Sequence, residues 1–328
     1  MRQNHPLVSI NLLTYNGRQY IEDCLNSVLK QTYPNIEILI IDNASTDETI
    51  DYLKKFQVIL NQRNVGFAVG HNQGIKKSQG EFILCLNQDV VLDKDFVKRA
   101  IEIFKKNNKI AAVQGKLLRV RPLGSNIIDT TGLLILKNRR IINRGQGQID
   151  QCQFEKIEEI FGADGAAPIY RRKALEDIKI DGQYFDEDFF CYKEDVDLAW
   201  RMQLYGWKAI YQPTALARHW RGSGDSATRT PWGIVKERRK ISQFSKELSF
   251  KNQRLMQIKN ELAWLFFKHL PWIIPKEIAA WLYILLFEKY TWRAIKNLFR
   301  QMPQAWQKRK IIMTRKKVGA KEIEKWFK

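Results

Sequence analysis

The chain has 328 residues, 45% of them hydrophobic and 12% aromatic, which is enough to bury a sizeable core and excludes an intrinsically disordered protein. Its four cysteines are widely spaced and the N-terminus lacks a long apolar segment, so we expect a reduced cytoplasmic protein without disulfides, a zinc site or a secretory signal. The net charge of +20 is uneven, because residues 229–328 carry 24 Lys and Arg against 7 Asp and Glu, whereas residues 1–228 carry 31 against 28.

Strand and helix patterns alternate over residues 1–110. Short apolar runs predict strands, and apolar side chains at helical spacing predict the helices between them. The predicted strands are residues 7–13, 36–41, 57–60 and 82–86. Ser45 and Glu48 have the spacing of a capping box, which predicts a helix from there to about Lys55. Because parallel strands need such crossover connections, we expect an α/β fold with a mostly parallel sheet.

Polar residues directly follow three of these strands. Thr14 and Asn16 follow the first strand, Asp42 and Asn43 the second, and Asp89 the fourth. Ligands of open α/β sheets bind outside the carboxyl ends of the strands, so these side chains are candidates for a binding site. For Asp89 alone, a turn or helix-capping role is the simpler explanation. Neither G-x-G-x-x-G nor a P-loop is present, so the sequence supports neither a dinucleotide oxidoreductase nor a P-loop NTPase.

Small residues and carboxylates mark the following part of the chain. Residues 161–170 include Asp164 and Gly165, and their small side chains suit either a pocket wall or a tight buried turn. Glu194 and Asp195 fall in the first turn of a predicted helix, where the helix dipole favours ionised carboxylates. Charge complementation at the helix N-terminus explains them too, but the flanking aromatic runs favour a dry site in which one carboxylate is a general base.

Two further features complete the pattern. Asp197 and Arg201 are four residues apart on the same predicted helix, which predicts an ion pair on its surface. His219 follows a strand-like stretch and precedes Trp220. A single histidine is more often structural than a ligand, but His219 at a strand end can share a metal ion with Asp89.

Seven stretches in register resemble one known family. They are VSINLLTYN, ILIIDNASTD, NVGFAVGHNQG, LNQD, DGAAPIYRR, YFDEDFFCYKEDVDLAWR and RHWRGS, over about residues 7–224. Together they closely resemble family 2 inverting glycosyltransferases of the GT-A fold, especially the bacterial rhamnosyltransferase-like branch. The resemblance implies a Rossmann-like, mostly parallel central sheet with flanking helices. Residues 1–228 would form the catalytic domain, with a nucleotide-binding half (1–110) and an acceptor-binding half (111–228).

The resemblance also implies a nucleotide-sugar donor, Mg²⁺ or Mn²⁺, and inversion in one step. Asp195 would take the proton of the acceptor hydroxyl, with Glu194 beside it, while Asp89 and His219 would hold the metal ion. The implied nucleotide-binding residues are Thr14, Asn16, Asp42, Asn43, Asn64, Gly66 and Asn72, and the implied acceptor-binding residues are Asp164, Gly165 and Trp220.

The sequence departs from the family pattern in two places. Asn87 stands where the metal motif usually has its first Asp, so metal binding would rest on Asp89 and His219. The Gln-x-x-Arg-Trp motif of processive synthases is absent, so we expect addition of a single sugar.

Residues 229–328 form a basic, Trp-rich extension that is predicted to be helical. Its longest uninterrupted apolar run has 10 residues, about half of what a membrane-spanning helix needs. Interfacial helices on an anionic inner leaflet and an ordinary helical subdomain both fit, and a lipid-linked acceptor favours the former.

We therefore expect a cytoplasmic, peripherally membrane-bound enzyme of cell-envelope polysaccharide synthesis. The donor would be a dTDP- or UDP-sugar, such as dTDP-rhamnose, and the acceptor a glycan or a lipid-linked glycan. No nucleic-acid partner is expected. The alternatives are a nucleic-acid-binding protein that uses the basic extension and a catalytically silent sugar-nucleotide binding module.

Overall fold

The computed structural model describes residues 5–120, 125–221, 228 and 230–328. Within these ranges a ten-stranded mixed sheet forms the centre of the molecule, and a two-stranded hairpin, β8–β9, lies beside it. The strands are β1 (Val8–Thr14), β2 (Ile36–Asp42), β3 (Val58–Leu60), β4 (Phe82–Asn87), β5 (Val90–Leu92), β6 (Ile110–Arg119), β7 (Ile128–Thr130), β8 (Leu133–Ile135), β9 (Ile141–Asn143), β10 (Glu158–Ile160), β11 (Ile169–Arg171) and β12 (Lys208–His219).

Helices flank the sheet and make up most of the C-terminal part. Those in the described ranges are α1 (Arg18–Leu29), α2 (Thr49–Leu53), α3 (Gly66–Lys77), α4 (Phe96–Phe104), α5 (Arg172–Ile178), α6 (Glu194–Leu204), α7 (Pro231–Lys240), α8 (Gln243–Asn260), α9 (Ala263–Lys268), α10 (Leu270–Phe287), α11 (Trp292–Arg315) and α12 (Ala320–Glu324). A 3₁₀ turn at Glu187–Phe189 precedes α6.

The order β3-β2-β1-β4 is parallel throughout and forms one half of the sheet. Beyond β4 the sheet is mixed, because β11 runs antiparallel to β4 and β6 while β12 runs parallel to β6. Most paired residues belong to parallel ladders, so the prediction of a mostly parallel sheet with flanking helices is confirmed.

The sheet separates two buried apolar clusters. One face packs on α1 and α4, through side chains such as Ile21 and Phe96. The other face packs on α3, α5 and α6, and α8 and α11 contribute Met256 and Leu298 to the same cluster. The C-terminal helices thus share a hydrophobic core with the sheet.

The last residues are tied into that core. The Phe327 ring lies 5.9 Å from the fully buried ring of Trp200, and Phe327 forms a β-bridge with Ile135 at the end of β8. The domain boundary that the sequence suggests after residue 228 adjoins residue 229, which lies outside the described residues. Gly222 and Ser223, the last two residues of the RHWRGS stretch, also lie outside them.

Two local predictions were wrong. Ser45 does not cap a helix: its hydroxyl and its N–H both bond the Asp42 carboxylate, and α2 runs only from Thr49 to Leu53. The Asp197–Arg201 ion pair is not on the surface, because both side chains are at most 1% exposed. Four-residue spacing identifies neighbours on a helix but does not indicate which face is buried.

One helix, α10, is by length and composition alone capable of crossing a membrane. It has 18 residues with a mean hydropathy of 1.4, and only 11% of them are buried in the molecule. Pro275 lies inside α10, and the helix continues through this residue and Lys276. A proline removes one backbone hydrogen bond from a helix without necessarily ending it.

Candidate active site

The parallel register brings the predicted donor residues to one edge of the sheet. Thr14 is paired with Asp42 at the ends of β1 and β2, and Leu13 is paired with Asn87 at the end of β4. The side chain of Gln88 then binds back to β1: its Oε1 accepts from the N–H of Tyr15 at 2.9 Å, and its Nε2 donates to the carbonyl of Tyr15 at 3.1 Å. Gln88 therefore fixes the loop after β1 relative to Asp89.

The side chain of Gln88 also lies close to the backbone of Gly17. A Cβ atom at Gly17 would clash with the Oε1 of Gln88, so a larger residue would displace this side chain from its hydrogen bonds with Tyr15. The Thr14 hydroxyl donates to the same oxygen, and Thr14 is almost fully buried. Asn16 is exposed, and its Oδ1 accepts from the N–H of Thr46 at 2.8 Å.

The loop after β3 approaches the segment before α6 through Gly66. Asn64 Oδ1 accepts from the Gly66 N–H at 2.9 Å, which shapes the turn into α3. Gly66 has a φ of +84°, and an added Cβ would lie 2.6 Å from the carbonyl oxygen of Phe190. Close approach and a left-handed backbone both require glycine here.

Two of the asparagines that we expected to bind the nucleotide form hydrogen bonds within the protein. Asn72 is 1% exposed; its Nδ2 donates to the Phe185 carbonyl at 2.8 Å, and its Oδ1 accepts from the Phe185 N–H at 2.9 Å. Asn43 is 3% exposed, and its Nδ2 donates to the Gly66 carbonyl at 3.1 Å. The structure places Asn72 as an anchor of the segment before α6 and Asn43 as a support for Gly66.

The two expected metal ligands are neighbours. Asp89 Oδ2 lies 3.3 Å from His219 Nε2, and the pairing of β12 with β5 brings them together. His219 Nδ1 lies 2.7 Å from the fully buried Asp129, which in turn pairs with Arg221 at 2.8 Å. Burial disfavours the imidazolium, but the carboxylates of Asp129 and Asp89 outweigh it and raise the pKa of His219 to about 10.

This donor set suits a divalent ion. A carboxylate oxygen and a neutral imidazole nitrogen are ligands for Mn²⁺, and a carboxylate on the other ring nitrogen is the usual support of a metal-bound histidine. Metal binding would therefore displace the proton that His219 carries at neutral pH. In the described residues no group of three His, Cys, Asp or Glu side chains surrounds a common point. A metal ion held by Asp89 and His219 would keep its other positions for the diphosphate and water.

The expected base lies at the start of α6. Asp195 Oδ2 accepts from the Gly165 N–H at 3.1 Å, and Oδ1 accepts from the Val196 N–H at 2.8 Å. Burial, together with the negative charge of Asp164, raises the pKa of Asp195 to about 6. Burial and the charge of Asp195 raise the pKa of Glu194 well above its usual range. At neutral pH, Asp195 is therefore the ionised member of the pair.

A strained loop delivers Asp195 to this position. Three residues of this loop have a positive φ, between 62° and 76°, a backbone conformation that residues other than glycine rarely adopt: Phe190, Tyr192 and Lys193. The side-chain amide of Asn252 on α8 donates to the carbonyls of Phe189, Cys191 and Tyr192 at 2.8–2.9 Å. These bonds hold the loop open in this conformation. Neither Asn252 nor Asp129 was identified from the sequence, because each acts through a distant segment.

A cavity of about 770 Å³ opens in front of these groups. Asp164, Gly165, Asp195 and His219 line it, and residues of α7, α8 and α10 close it. Asp164 Oδ2 accepts from Asn143 Nδ2 at 2.9 Å, which holds this carboxylate in the wall. Trp220 does not line the cavity in the structure, because its ring packs 5.7 Å from that of Tyr20. The cavity thus brings together the expected base and one candidate metal ligand, as a candidate active site requires.

Comparisons with known proteins agree with this arrangement. Residues 9–179 match the family model described as glycosyl transferase family 2. The poly-beta-1,6-N-acetyl-D-glucosamine synthase of Staphylococcus epidermidis is 30% identical over 228 residues, which are 64% of this chain and 48% of that protein. That of Staphylococcus aureus strain COL is 28% identical over the same shares. The chain thus matches about half the length of these curated relatives.

Solved structures show the same fold. Residues 1–349 of S. aureus TarS, in complex with UDP-GlcNAc, superpose with a TM-score of 0.56 at 18% identity, covering 91% of this chain and 81% of that one. The mannosyltransferase PcManGT of Pyrobaculum calidifontis, in complex with GDP-Man and Mn²⁺, superposes with a TM-score of 0.53 at 15% identity, covering 95% and 86%. The chain is therefore a glycosyltransferase of family 2 with the GT-A fold.

Proposed function

We propose that this protein transfers a single sugar from a nucleoside-diphosphate sugar to a glycan or lipid-linked glycan acceptor, with inversion at the anomeric carbon. The observation that carries the proposal is the position of Asp195. Its carboxylate faces the same cavity as His219, and its pKa of about 6 makes it ionised at neutral pH but still basic. A general base needs this combination of access and a pKa near the working pH.

The reaction is a direct displacement. The acceptor hydroxyl gives its proton to Asp195 while its oxygen forms a bond to the anomeric carbon, and the bond from this carbon to the diphosphate breaks. The nucleoside diphosphate leaves with the bonding electron pair. Asp89 and His219 would hold a divalent ion, Mg²⁺ or Mn²⁺, which would supply positive charge to that leaving group. The Gly165 N–H, which donates to Asp195 Oδ2, orients the carboxylate.

The donor base and sugar are open to experiment. Asp42, Thr14 and Asn16 lie at the strand tips where a base and ribose bind in this proposal. TarS was solved with UDP-GlcNAc and PcManGT with GDP-Man, so UDP and GDP are tested beside the dTDP of our sequence-based expectation.

The test is a calorimetric titration of UDP, dTDP and GDP into the full chain, with and without Mn²⁺. We expect one diphosphate to bind in a metal-dependent manner, and Asp89→Ala to abolish this binding. Asp51→Ala, which changes an exposed carboxylate on α2, is the matched control. If no nucleotide binds, the proposal fails. If a donor sugar binds but no glycan or lipid-linked acceptor is turned over, the protein is a silent sugar-nucleotide binding module.

We also propose that α9 and α10 lie on an anionic membrane surface at the cytoplasmic face. Both helices expose large apolar side chains to solvent. These are Trp264, Phe267, Trp272, Ile278, Leu282, Leu286 and Phe287. A patch of this kind beside a strongly basic region suits a lipid interface.

Flotation with vesicles tests this location. We expect the protein to float with vesicles that contain anionic lipid and to remain below with neutral vesicles. Leu286→Glu places a charge on the exposed face of α10 and should reduce flotation, whereas Leu60→Glu, on the exposed β3, should not. Salt-sensitive RNA binding by the protein, without flotation, would support the nucleic-acid alternative.

A further inference from the structure

The wall of the cavity carries an excess of basic side chains. Of the residues that line it, seven are Lys or Arg and four are Asp or Glu, and carboxylates outside the lining, Asp129, Glu277 and Glu288, pair with four of the basic side chains. Burial and the charge of Asp195 raise the pKa of one of these acids, Glu194, which reduces the negative charge of the wall. Positive charge remains unbalanced where Arg254 and Lys276 share the single carboxylate of Glu277, and such a place in a partly enclosed site favours an anionic ligand.

Three of the basic side chains that line the cavity come from three different elements. Lys193 precedes α6, Arg254 lies on α8 and Lys276 lies on α10. Arg254 and Lys276 lie close together, because both pair with the carboxylate of Glu277. After burial, the charge of Arg254 is among the causes that lower the pKa of Lys276, and Lys276 in turn contributes to the lowered pKa of Lys193.

A carboxylate on α10 neutralises only part of the positive charge of these three side chains. Glu277 is the carboxylate that pairs with both Lys276 and Arg254. One carboxylate shared by two cations leaves a net positive charge. Within the described residues, the ammonium group of Lys193 makes no hydrogen bond or ion pair, and its ionised form is favoured by the charges of Asp195 and Glu194. A partly desolvated cation without a hydrogen-bond partner is stabilised by an anionic ligand.

We infer that Lys193, Arg254 and Lys276 bind a phosphate group of the acceptor. This inference rests on the proposed function, because Asp195 lines the same cavity. Ala280, one turn after Lys276 on α10, also lines the cavity, and Leu282 and Leu286 lie exposed farther along the helix. A phosphate bound at Lys276 thus has an apolar surface beside it. The phosphate can belong to a lipid or to a phosphorylated glycan, and these two sources differ in their use of that surface.

Binding of two small phosphates tests the inference. The full chain is first saturated with Mn²⁺ and the nucleoside diphosphate that binds it, so that the donor site is occupied. Octyl phosphate and glycerol 3-phosphate are then titrated. We expect Lys276→Gln to weaken binding about tenfold, the effect of losing one charge-assisted hydrogen bond. Lys296→Gln, at an exposed position of α11, is the matched control. Lys276→Arg, which retains the charge, should restore most of the affinity.

The two phosphates distinguish the source of the anion. Tighter binding of octyl phosphate supports a lipid phosphate, and equal binding supports a phosphorylated glycan. If neither phosphate binds, or if Lys276→Gln binds both as well as the wild type does, the inference is overturned. The diphosphate affinity of each variant is measured in the same experiment. Intact diphosphate binding with no phosphate site contradicts this inference alone, whereas loss of diphosphate binding in the wild type contradicts the proposed function.

Discussion

The cleft has two sides in the proposed function, one for the donor and one for the acceptor, and they are built in different ways. On the donor side, Thr14, Asp42 and Asn87 reach the site through the register of three adjacent parallel strands. On the acceptor side, Asp195 depends on a strained loop that is held by α8. A regular sheet edge needs little support beyond its own hydrogen bonds, whereas an irregular loop needs partners from elsewhere in the chain.

The partners of the acceptor side form a buried network of charges. Lys259 on α8 pairs with Asp186 and, at 2.8 Å, with Asp197. Lys308 on α11 lies 2.6 Å from Asp186 and 2.7 Å from Asp188. The C-terminal helices therefore supply the cations that balance the acidic segment before α6. The comparison predicts that changes on this side affect turnover or stability but leave nucleotide binding intact.

The largest effect is expected from Asp195→Asn. Removal of the general base should lower the rate of sugar transfer by about 10²- to 10⁴-fold, while the donor diphosphate binds as in the wild type. Transfer is measured as release of the nucleoside diphosphate in the presence of acceptor. Asp181→Asn, at an exposed position before α6, is the control. Full activity of Asp195→Asn would remove Asp195 from the reaction.

Lys259→Met should destabilise the fold by about 1–3 kcal/mol, because Asp186 and Asp197 each lose one of two buried counter-ions and retain only Lys308 and Arg201. Urea unfolding measures the loss. Lys54→Met removes an exposed ion pair with Asp51 and should leave the midpoint unchanged. Equal midpoints for both variants would show that the network does not support the acceptor side.

The same network has a pH signature. Burial raises the pKa of Asp186, but Lys259 and Lys308 outweigh this and lower it below its usual value. The ionised Asp186 therefore stabilises the folded state above about pH 4, which is the pKa of an aspartate in the unfolded chain. This stabilisation is lost as the pH falls below that value. In Lys259→Met, the loss of stability on acidification should be shallower than in the wild type.

Asn252→Leu should reduce turnover and cost about 1–3 kcal/mol of stability, because the loop carbonyls lose their donor. Nucleotide affinity should not change, since Asn252 does not contact the strand tips. Gln257→Leu, on the same helix, is the matched control. A parallel loss of nucleotide binding in Asn252→Leu would indicate that the two sides are not separately supported.

The smallest expected effect is on pH dependence. Asp195 must be ionised to accept a proton, so transfer should fall about tenfold per pH unit below about 6 and reach a plateau above it. The charged groups that face Asp195 are Asp164, Lys193 and Glu194. Because Asp164 raises the pKa of Asp195, Asp164→Asn should move the inflection to lower pH. If the inflection does not move, the group whose titration controls the rate is not Asp195.

The sequence predicted the ends of the strands better than the contacts around Asp195, for a physical reason. Strand tips follow from local apolar runs, so the positions of Thr14, Asp42 and Asp89 could be inferred from short windows. The roles of Asn72, Asp129 and Asn252 depend on segments far away in the chain. No local pattern encodes such contacts.

The bridge between Ile135 and Phe327 has a consequence for the way this protein is made. The N-terminal strands β1 to β4 can pair as soon as they leave the ribosome, because their partners are close in sequence. The core around Trp200 is incomplete until Phe327 arrives. During synthesis, the predicted nucleotide-binding half should therefore be folded while the predicted acceptor half is still incompletely folded. We expect chaperones to bind mainly to that second half.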